Sequence, residues 1–207
     1  MRDYSKIDKY LTDLIRDVYP QPLDKTHTDQ TKTVFYEFIS PLIHEGKVKT
    51  VLDVGCGQGN AFSIFNKSGV EIIGIGIGND NKEAKKNFPD FKVLDMDMHF
   101  LEFPDKHFDM IFARHILEHS PMPLLALMEW HRVTRPGGYL VVVVPHHENV
   151  IQGGINHYYM LSPVQWKVLF RRSRWKLINE DYSDITEFRF LLERIDTVYD
   201  IYNHSVI

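Results

Sequence analysis

From Val48 to Pro145 the sequence alternates short runs of β-branched and aliphatic residues with longer amphipathic stretches, and this alternation leaves few possible folds. It predicts strands at 48–54, 70–76, 91–95, 108–113 and 139–145, with helices between them at about 58–67, 80–88 and 121–134. Strands and helices that alternate in this way form parallel sheets, because each crossover helix returns the chain to the same edge. The pattern therefore predicts the α/β class.

The segment that follows has a different pattern. A helix is predicted to begin at Ser162 and Pro163, and "WKLINEDYS" and "EFRFLLERI" are two strand-like runs separated by a short polar turn. A connection this short cannot hold a crossover helix, so we expect the two runs to pair as an antiparallel hairpin.

Two amphipathic helices are predicted ahead of the sheet. The first has apolar residues at three- and four-residue spacing before Pro20, namely Ile7, Leu11, Leu14, Ile15 and Val18. The second is expected to be capped by Thr28 or Asp29, to bend at Pro41 and to end at Gly46. Its predicted buried face consists of Val34, Phe35, Phe38, Ile39, Leu42 and Ile43.

Length and charge narrow the classes of function. The 207 residues, of which 43% are hydrophobic, suffice for one well-buried domain. A net charge of −4 does not supply the positive field with which proteins bind phosphate backbones, so the composition argues against a nucleic-acid partner.

The cysteine count and the lengths of the apolar runs indicate where in the cell the protein is located. Cys56 is the only cysteine, so an internal disulfide is impossible, and the first residues lack the apolar core of a secretory signal. The longest apolar run, Tyr139–Pro145, is far shorter than the roughly 20 residues of a membrane-spanning helix. We therefore expect a cytoplasmic protein without membrane contacts.

A glycine-rich turn follows the first predicted strand. In "VLDVGCGQGN" an apolar strand runs into Gly55, Gly57 and Gly59, and a helix is predicted to begin next. Glycines let the backbone pass close to a ligand, and a helix N-terminus offers free N–H donors. The dinucleotide fingerprint requires a sixth-place glycine where Asn60 stands, which argues against a nicotinamide or flavin cofactor.

Three sequence blocks in the same order resemble those of class I S-adenosylmethionine-dependent methyltransferases of the small, single-domain type. They are "VLDVGCGQG", "LDMDMHFLEFPDKHFDMIFARHILEH" and "EWHRVTRPGGYLVVVVP". The resemblance spans about 48–145. It implies a Rossmann-like three-layer sandwich with a seven-stranded, mostly parallel sheet, whose last strand is antiparallel. It also implies a cofactor bound at the carboxyl ends of the strands. We expect one domain, with a helical lid at 1–46 and a Rossmann-like core at 47–207.

The resemblance also implies which residues bind S-adenosylmethionine. Those of the first turn are Asp53, Gly55, Cys56, Gly57 and Gly59, and Cys56 has no basic neighbour in sequence that would make it a nucleophile. At the end of the third strand, Asp97 matches the residue that binds the adenine amino group, with Asp95 as the alternative. Met98 would contribute a backbone N–H and an apolar wall, and Arg114 lies at the tip of the fourth strand.

The second strand departs from the family pattern. In "EIIGIGIGND" the place of the acid that binds the ribose hydroxyls is Gly76, next to Ile77. Asp80 or Asn79 could reach back to the ribose, water could bridge the gap, or the cofactor could be lost. We expect Asp80 to take this role, since Gly78 would let the loop fold tightly. Gly74 is explained by close packing.

Methyl transfer needs alignment and, for some acceptors, a base. Histidine has a suitable pKa, and the candidates at the carboxyl ends of strands four and five are His115, His119 and His146, followed by His147, Glu148 and His157. The spacing of "HHE" and His157 matches no compact metal motif, so no metal site is predicted. Where DNA amino-methyltransferases carry Asn-Pro-Pro-Tyr, this sequence has "FARH", which argues against a DNA base as acceptor.

The leading hypothesis is an S-adenosylmethionine-dependent methyltransferase that acts on an oxygen or nitrogen of a small-molecule or sugar-like acceptor. The alternatives are a non-catalytic binding or scaffolding module with the same fold, a protein or nucleic-acid methyltransferase, and a nicotinamide-dependent oxidoreductase. Aromatic residues of the first helices, such as Tyr10, Phe35 and Tyr36, are expected to form a lid over the cleft together with "GGINHYYML".

Overall fold

A computed structural model describes residues 5–14, 23–148, 157–183 and 185–196. Its centre is a seven-stranded sheet in the order β3-β2-β1-β4-β5-β7-β6. The strands are β1 Thr50–Val54, β2 Glu71–Gly76, β3 Lys92–Asp95, β4 Phe108–Arg114, β5 Thr134–Pro145, β6 Trp175–Asp181 and β7 Glu187–Arg194. Strands β1 to β5 pair in parallel, whereas β7 is antiparallel to both β5 and β6. The predicted fold class is confirmed.

Helices cover both faces of the sheet. They are α1 Ser5–Leu14, α2 Lys25–Val34, α3 Ser40–His44, α4 Phe62–Lys67, α5 Gly78–Asn87, α6 Pro123–Val133 and α7 Pro163–Arg172, with a π-helix at Phe35–Ile39 and a 3₁₀ helix at Leu117–His119. Alternate strand residues enter two separate cores. Leu52 and Val54 pack in the core that contains Trp130, whereas Val51 packs in the one that contains Phe62. None of the helices in the described part of the chain is both long and apolar enough to cross a bilayer.

The structure corrects the N-cap of the second predicted helix. Its N-cap is Asp24, which accepts a hydrogen bond from the backbone N–H of His27 at 2.8 Å, and not Thr28 or Asp29. The Asp29 carboxylate instead forms ion pairs with lysines of α2. The expected bend at Pro41 takes the form of the π-helix just ahead of it, since proline cannot donate to the preceding helical turn.

The buried face of that helix is as predicted: Val34, Phe35, Phe38, Ile39 and Leu42 are buried, and Ile43 is half-buried. In the first helix Ile7 is exposed, and Ile15, Val18 and Pro20 lie outside the described residues.

Strand β5 begins five residues before the predicted start. Thr134 pairs with Phe108, and a bulge in the β4–β5 pairing follows before Tyr139 pairs with Met110. The sequence "RPGG" between Thr134 and Tyr139 is typical of a turn, so the sequence pattern did not indicate that the strand begins at Thr134.

The predicted carboxyl-terminal hairpin is confirmed, and its second strand lies beside the centre of the sheet. Ser162 and Gln165 form a capping box at the start of α7, and β6 and β7 then pair antiparallel. Because β7 inserts next to β5, Glu187 lies opposite Pro145 at the carboxyl end of the parallel strands.

Candidate functional site

The glycine-rich turn leaves β1 at the carboxyl edge of the sheet. The backbone N–H groups of Gly55 and Cys56 both donate to the carbonyl oxygen of Ile75, at 2.9 and 3.0 Å. Gly55 has a φ of +71°, and a Cβ there would lie 2.5 Å from the Ile116 side chain. Both the backbone conformation and the close approach therefore require glycine at this position.

A cleft opens above this turn, with about 300 Å³ of free space including its mouth. Its lining combines three distant parts of the chain, namely α2, the end of β1 with the glycine turn, and β4: Thr31, Asp53, Gly55, Cys56, Gly57, Asn60, Ala61, Phe112 and Arg114. The structure thus brings together five residues that were predicted to bind the cofactor.

Helix α2 lies against the same turn. The Thr28 hydroxyl donates to Asn60 Oδ1 at 3.0 Å, and the Leu23 N–H donates to Gln58 Oε1 at 3.2 Å. Across the cleft, Arg114 donates to Gln30 Oε1 at 2.6 Å. The segment expected to act as a lid is therefore in contact with the glycine turn.

Asp53 is the buried acid of the cleft, with only 3% of its surface exposed. It pairs in the sheet with Gly74 and Phe112, neither of which offers a charge. Burial raises the pKa of its carboxyl group to about 7. Within the described residues no cation lies within salt-bridge distance of this carboxylate, so it is poised to accept a positive group from a ligand.

Burial also raises the pKa of the Cys56 thiol well above its usual range. The thiol contacts the Gly57 carbonyl and Asn81 Oδ1 at 3.7 and 3.6 Å. A protonated, packed thiol of this kind agrees with the prediction that Cys56 is not a nucleophile.

A network of buried charges lies at the tip of β4. Glu187 is fully buried and accepts hydrogen bonds from Arg114 at 3.1 Å, from His115 at 3.0 Å and from Arg189 at 3.0 Å. Burial alone would raise the pKa of Glu187, but the bond from His115 and the charges of the two arginines lower it to about 2. Glu187 is therefore ionised and holds Arg114 at the edge of the cleft.

His115 connects this network to a second buried carboxylate. Its Nε2 lies 3.0 Å from Glu187 and its Nδ1 lies 3.5 Å from Glu118 Oε1. Burial disfavours the charged ring, but its contacts with the two carboxylates raise its pKa above the usual value. The residue has a φ of +51°, a left-handed conformation that is uncommon outside glycine but that histidine adopts more often than most residues. The charged form that these contacts favour cannot accept a proton.

The other two histidines predicted as bases occupy different surroundings. His119 Nε2 lies 4.0 Å from Glu118 Oε1, and its ring contacts the ring of His157 with a centroid distance of 4.6 Å. His146 follows β5 and packs on Phe188 at 4.4 Å. His146 does not line the cleft. Which residue acts as a base stays a prediction.

Close packing accounts for the glycines of β2. A Cβ at Gly74 would lie 2.5 Å from the Phe62 ring, and one at Gly76 would lie 3.2 Å from Asn81 Oδ1. The Asn81 amide donates to Leu94 O and to Asp95 Oδ1, so its N–H groups are already used.

Asp80, the expected ribose ligand, lies in the first turn of α5 after Ile77, the N-cap. Its carboxylate accepts a hydrogen bond from Gln58 Nε2 of the glycine turn at 3.0 Å. This contact holds Asp80 beside the turn, and its role toward a ribose stays a prediction.

Asp97 follows β3 and is held by its neighbour His99. Its Oδ1 accepts from the backbone N–H of His99 at 2.9 Å and lies 2.6 Å from His99 Nδ1. The Met98 carbonyl accepts from Trp130 Nε1. Asp95, the alternative, pairs with Lys85. These contacts orient Asp97 but do not test its predicted role toward adenine.

Sequence reasoning missed several residues of the site. Asn60 and Ala61 directly follow the glycines of the turn. Phe112 precedes Arg114 by two residues on β4, so strand periodicity could have indicated that both side chains lie on the same face of the sheet. Thr31 and Glu187 reach the site from α2 and β7, and their positions depend on the assembled fold.

The central part of the chain is similar to known proteins. Residues 52–142 match the family described as "Methyltransferase domain". A probable methyltransferase of Aspergillus luteorubrus is 34% identical over 130 residues, which cover 55% of this chain and 46% of that protein. The chloroplastic tocopherol O-methyltransferase of Arabidopsis thaliana is 33% identical over 120 residues, which cover 53% of this chain and 34% of that protein. The chain thus matches less than half the length of these two relatives.

The fold agrees with solved structures as well. A protein of Aquifex aeolicus described as a SAM-dependent methyltransferase superposes with a TM-score of 0.64 at 19% identity. The superposition covers 94% of this chain and all of that one. At this identity the likeness concerns the fold alone.

Proposed function

Because the chain belongs to the class I S-adenosylmethionine-dependent methyltransferases, we propose that it transfers the methyl group of S-adenosylmethionine to a hydroxyl oxygen of a small molecule. The observation that carries this proposal is Asp53, a buried carboxyl group with a pKa near 7 in a cleft built on a glycine-rich turn. The name of the Arabidopsis relative, an O-methyltransferase that acts on tocopherol, supports an oxygen acceptor.

The charges of the cleft fit this cofactor. Its methionyl group carries an ammonium and a carboxylate, and the cleft offers a carboxylate in Asp53 and a guanidinium in Arg114. The Nε atom of Arg114 is buried and has no hydrogen-bond partner among the described residues, so it is a donor without an acceptor. We infer that Asp53 binds the ammonium and that Arg114 Nε binds the carboxylate.

S-adenosylmethionine supplies an electrophilic methyl group on a sulfonium ion. The residues of this chain would contribute position and exclusion of water. Phe112 and Ala61 form apolar walls of the cleft, and Thr31 covers it from α2. Helix α2 leaves only a narrow space, so we infer that it moves outward to admit the ligands and then closes over them.

Calorimetry tests the proposal. S-adenosylmethionine and S-adenosylhomocysteine are titrated into the protein, and binding at micromolar affinity is expected. Asp53→Asn should weaken the binding by about 10-fold or more, since it removes a charged hydrogen bond of roughly 1.5–3 kcal/mol. Asp90→Asn is the matched control, because Asp90 is exposed. Equal affinities of the two variants would contradict the assignment of Asp53.

A non-catalytic binding module with the same fold is the second candidate. The observation that favours it is Gly76, where the acid that binds the ribose in relatives is absent and Asn81 packs against the backbone. If neither cofactor form binds at millimolar concentration, this second candidate replaces the first.

A further inference from the structure

We propose that Glu118, His119 and His157 bind a divalent transition-metal ion beside the cleft. Its role, which rests on the proposed function, is to bind the acceptor hydroxyl and to make it acidic. The metal site itself does not depend on that function.

The three side chains come from two separate parts of the chain. Glu118 and His119 lie in the 3₁₀ helix that follows β4, and His157 lies 38 residues further along. The backbone N–H of Tyr158 donates to the Glu118 carbonyl at 2.9 Å, which fixes the His157 segment against that helix. The candidate ligand atoms lie within 4.8 Å of one another.

Glu118 gives the clearest indication of a missing cation. Its side chain is fully buried, and neither carboxylate oxygen has a hydrogen-bond partner among the residues that the structure describes. A buried carboxylate without donors costs several kcal/mol, and native proteins rarely contain one. Within the same described ranges, the Nδ1 atom of His157 is also buried without a hydrogen-bond partner. One cation between these atoms would satisfy both.

His115 does not remove this need. Its Nδ1 approaches Glu118 only to 3.5 Å, while its Nε2 makes a 3.0 Å hydrogen bond to Glu187. Glu187 receives three donors at hydrogen-bond distance, whereas Glu118 receives none from the described residues and has only longer ion-pair contacts, at 3.5 Å to His115 and 4.0 Å to His119. The Glu118 oxygens therefore remain without a hydrogen-bond donor in the described structure, although its charge has two histidine neighbours.

The ligand set indicates the class of metal. Two imidazoles and one carboxylate suit Zn²⁺, Fe²⁺, Co²⁺ or Mn²⁺ better than Mg²⁺ or Ca²⁺, which prefer oxygen ligands. Ligand atoms around tetrahedral zinc are roughly 3.4 Å apart, so modest side-chain rotations would close the present arrangement. Three protein ligands leave coordination positions open, which is typical of catalytic rather than structural sites.

The position of the site gives the ion a chemical role. Arg114, which lines the cleft, and His115 both contact Glu187, and His115 also contacts Glu118 at 3.5 Å, so the ion would lie beside the cleft, where a ligand could reach it. A bound acceptor hydroxyl would lose its proton to solvent near neutral pH. The resulting oxygen would form the new O–CH₃ bond, and the electron pair of the broken C–S bond would return to sulfur, giving the methyl ether and S-adenosylhomocysteine.

Metal binding is tested without the cofactor. The full chain is freed of metal with a chelator, dialysed, and titrated with Zn²⁺ alone. One site is expected, with at least about 10-fold weaker binding in Glu118→Gln and in His157→Ala. His147→Ala is the matched control, because its ring stacks on His146 outside the cluster. Absence of binding, or equal binding in all four proteins, would overturn the site.

Two further measurements separate folding and function from binding. Thermal unfolding of metal-free Glu118→Gln should show one cooperative transition, so that a loss of metal binding reflects the missing ligand and not a misfolded chain. Co²⁺-loaded protein is then mixed with catechol, a hydroxyl-bearing chelator, and a change in the visible absorption bands is expected. Unchanged bands would overturn the acceptor-binding role and leave the metal site in place. Failure of S-adenosylmethionine to bind would overturn the methyl-transfer proposal alone.

Discussion

Replacing Asp53 with asparagine is expected to stabilise the protein at neutral and alkaline pH. In the folded state burial raises the pKa of this carboxyl from 3.8 to about 7. The folded state therefore holds a proton that the unfolded state releases above pH 4, and stability falls as the pH rises toward 7. Each pKa unit corresponds to about 1.4 kcal/mol, so the difference of about three units corresponds to roughly 4 kcal/mol in all. Asparagine is neutral throughout and carries no such penalty.

Urea unfolding at pH 5, 6, 7 and 8 measures this effect. The free energy of unfolding of the wild type should fall relative to that of Asp53→Asn by about 1.4 kcal/mol per pH unit between pH 5 and 7, and then level off. Differences intrinsic to the substitution are independent of pH and cancel in the slope. The Asp90→Asn variant should run parallel to the wild type. If the wild type and Asp53→Asn also run parallel, Asp53 titrates normally and the electrostatic basis of the proposed cofactor site is wrong.

The same carboxyl should couple cofactor binding to protons. A ligand ammonium beside Asp53 favours the charged carboxylate and lowers its pKa, so binding at pH 6 should release close to one proton. Calorimetry in two buffers of different ionisation enthalpy measures this number. Asp53→Asn should release none, and a wild type that releases none would separate Asp53 from the ammonium.

Two other predictions concern the framework of the site. Glu187→Gln should lower the free energy of unfolding by about 3–5 kcal/mol at pH 7, because it leaves buried cations without their partner. The pKa of Glu187 is about 2 in the folded state, against an ordinary value of 4.5. The stability that the Glu187 carboxylate contributes is therefore complete above pH 4.5 and should be lost as the pH falls toward 2. Urea unfolding at low pH would detect this loss. Gly74→Ala should lower the free energy of unfolding by about 1–3 kcal/mol, as measured by thermal unfolding, because the new Cβ would overlap the Phe62 ring. In Gly76→Ala the new Cβ would contact only the movable amide of Asn81, so the free energy of unfolding should fall less. Equal costs would contradict the packing explanation.

Local patterns in the sequence were sufficient for most of the framework. Alternation of strands and helices predicted the parallel sheet, and the short polar turn after "WKLINEDYS" predicted the antiparallel hairpin. These features depend on neighbours in sequence. The N-cap was missed because Asp24, Thr28 and Asp29 all satisfy the local preference, and the lysine pairs that occupy Asp29 appear only in the folded helix.

The site was only partly predictable, for a related reason. Asp53 and the glycine turn form one continuous segment, so their chemistry is visible in the sequence. Glu187 lies 73 residues from Arg114, and only the insertion of β7 beside β5 brings them together. The pairing of Glu118 with His157 depends in the same way on how a distant segment returns to the 3₁₀ helix. The sequence analysis named His157 only as a candidate base and predicted no metal site, because the spacing of "HHE" and His157 does not indicate that His157 lies beside Glu118 and His119.

The insertion of β7 has a consequence for how the protein is made. Synthesis proceeds from the amino terminus, so the glycine turn and strands β1 to β5 leave the ribosome well before Glu187 does. Until then Arg114 and His115 lack the Glu187 carboxylate that both contact in the finished protein. A nascent chain that ends after β5 would hold Arg114 at the rim of the cleft without this buried carboxylate partner. The ligand pocket can therefore be completed only late in translation, after β7 has been synthesised.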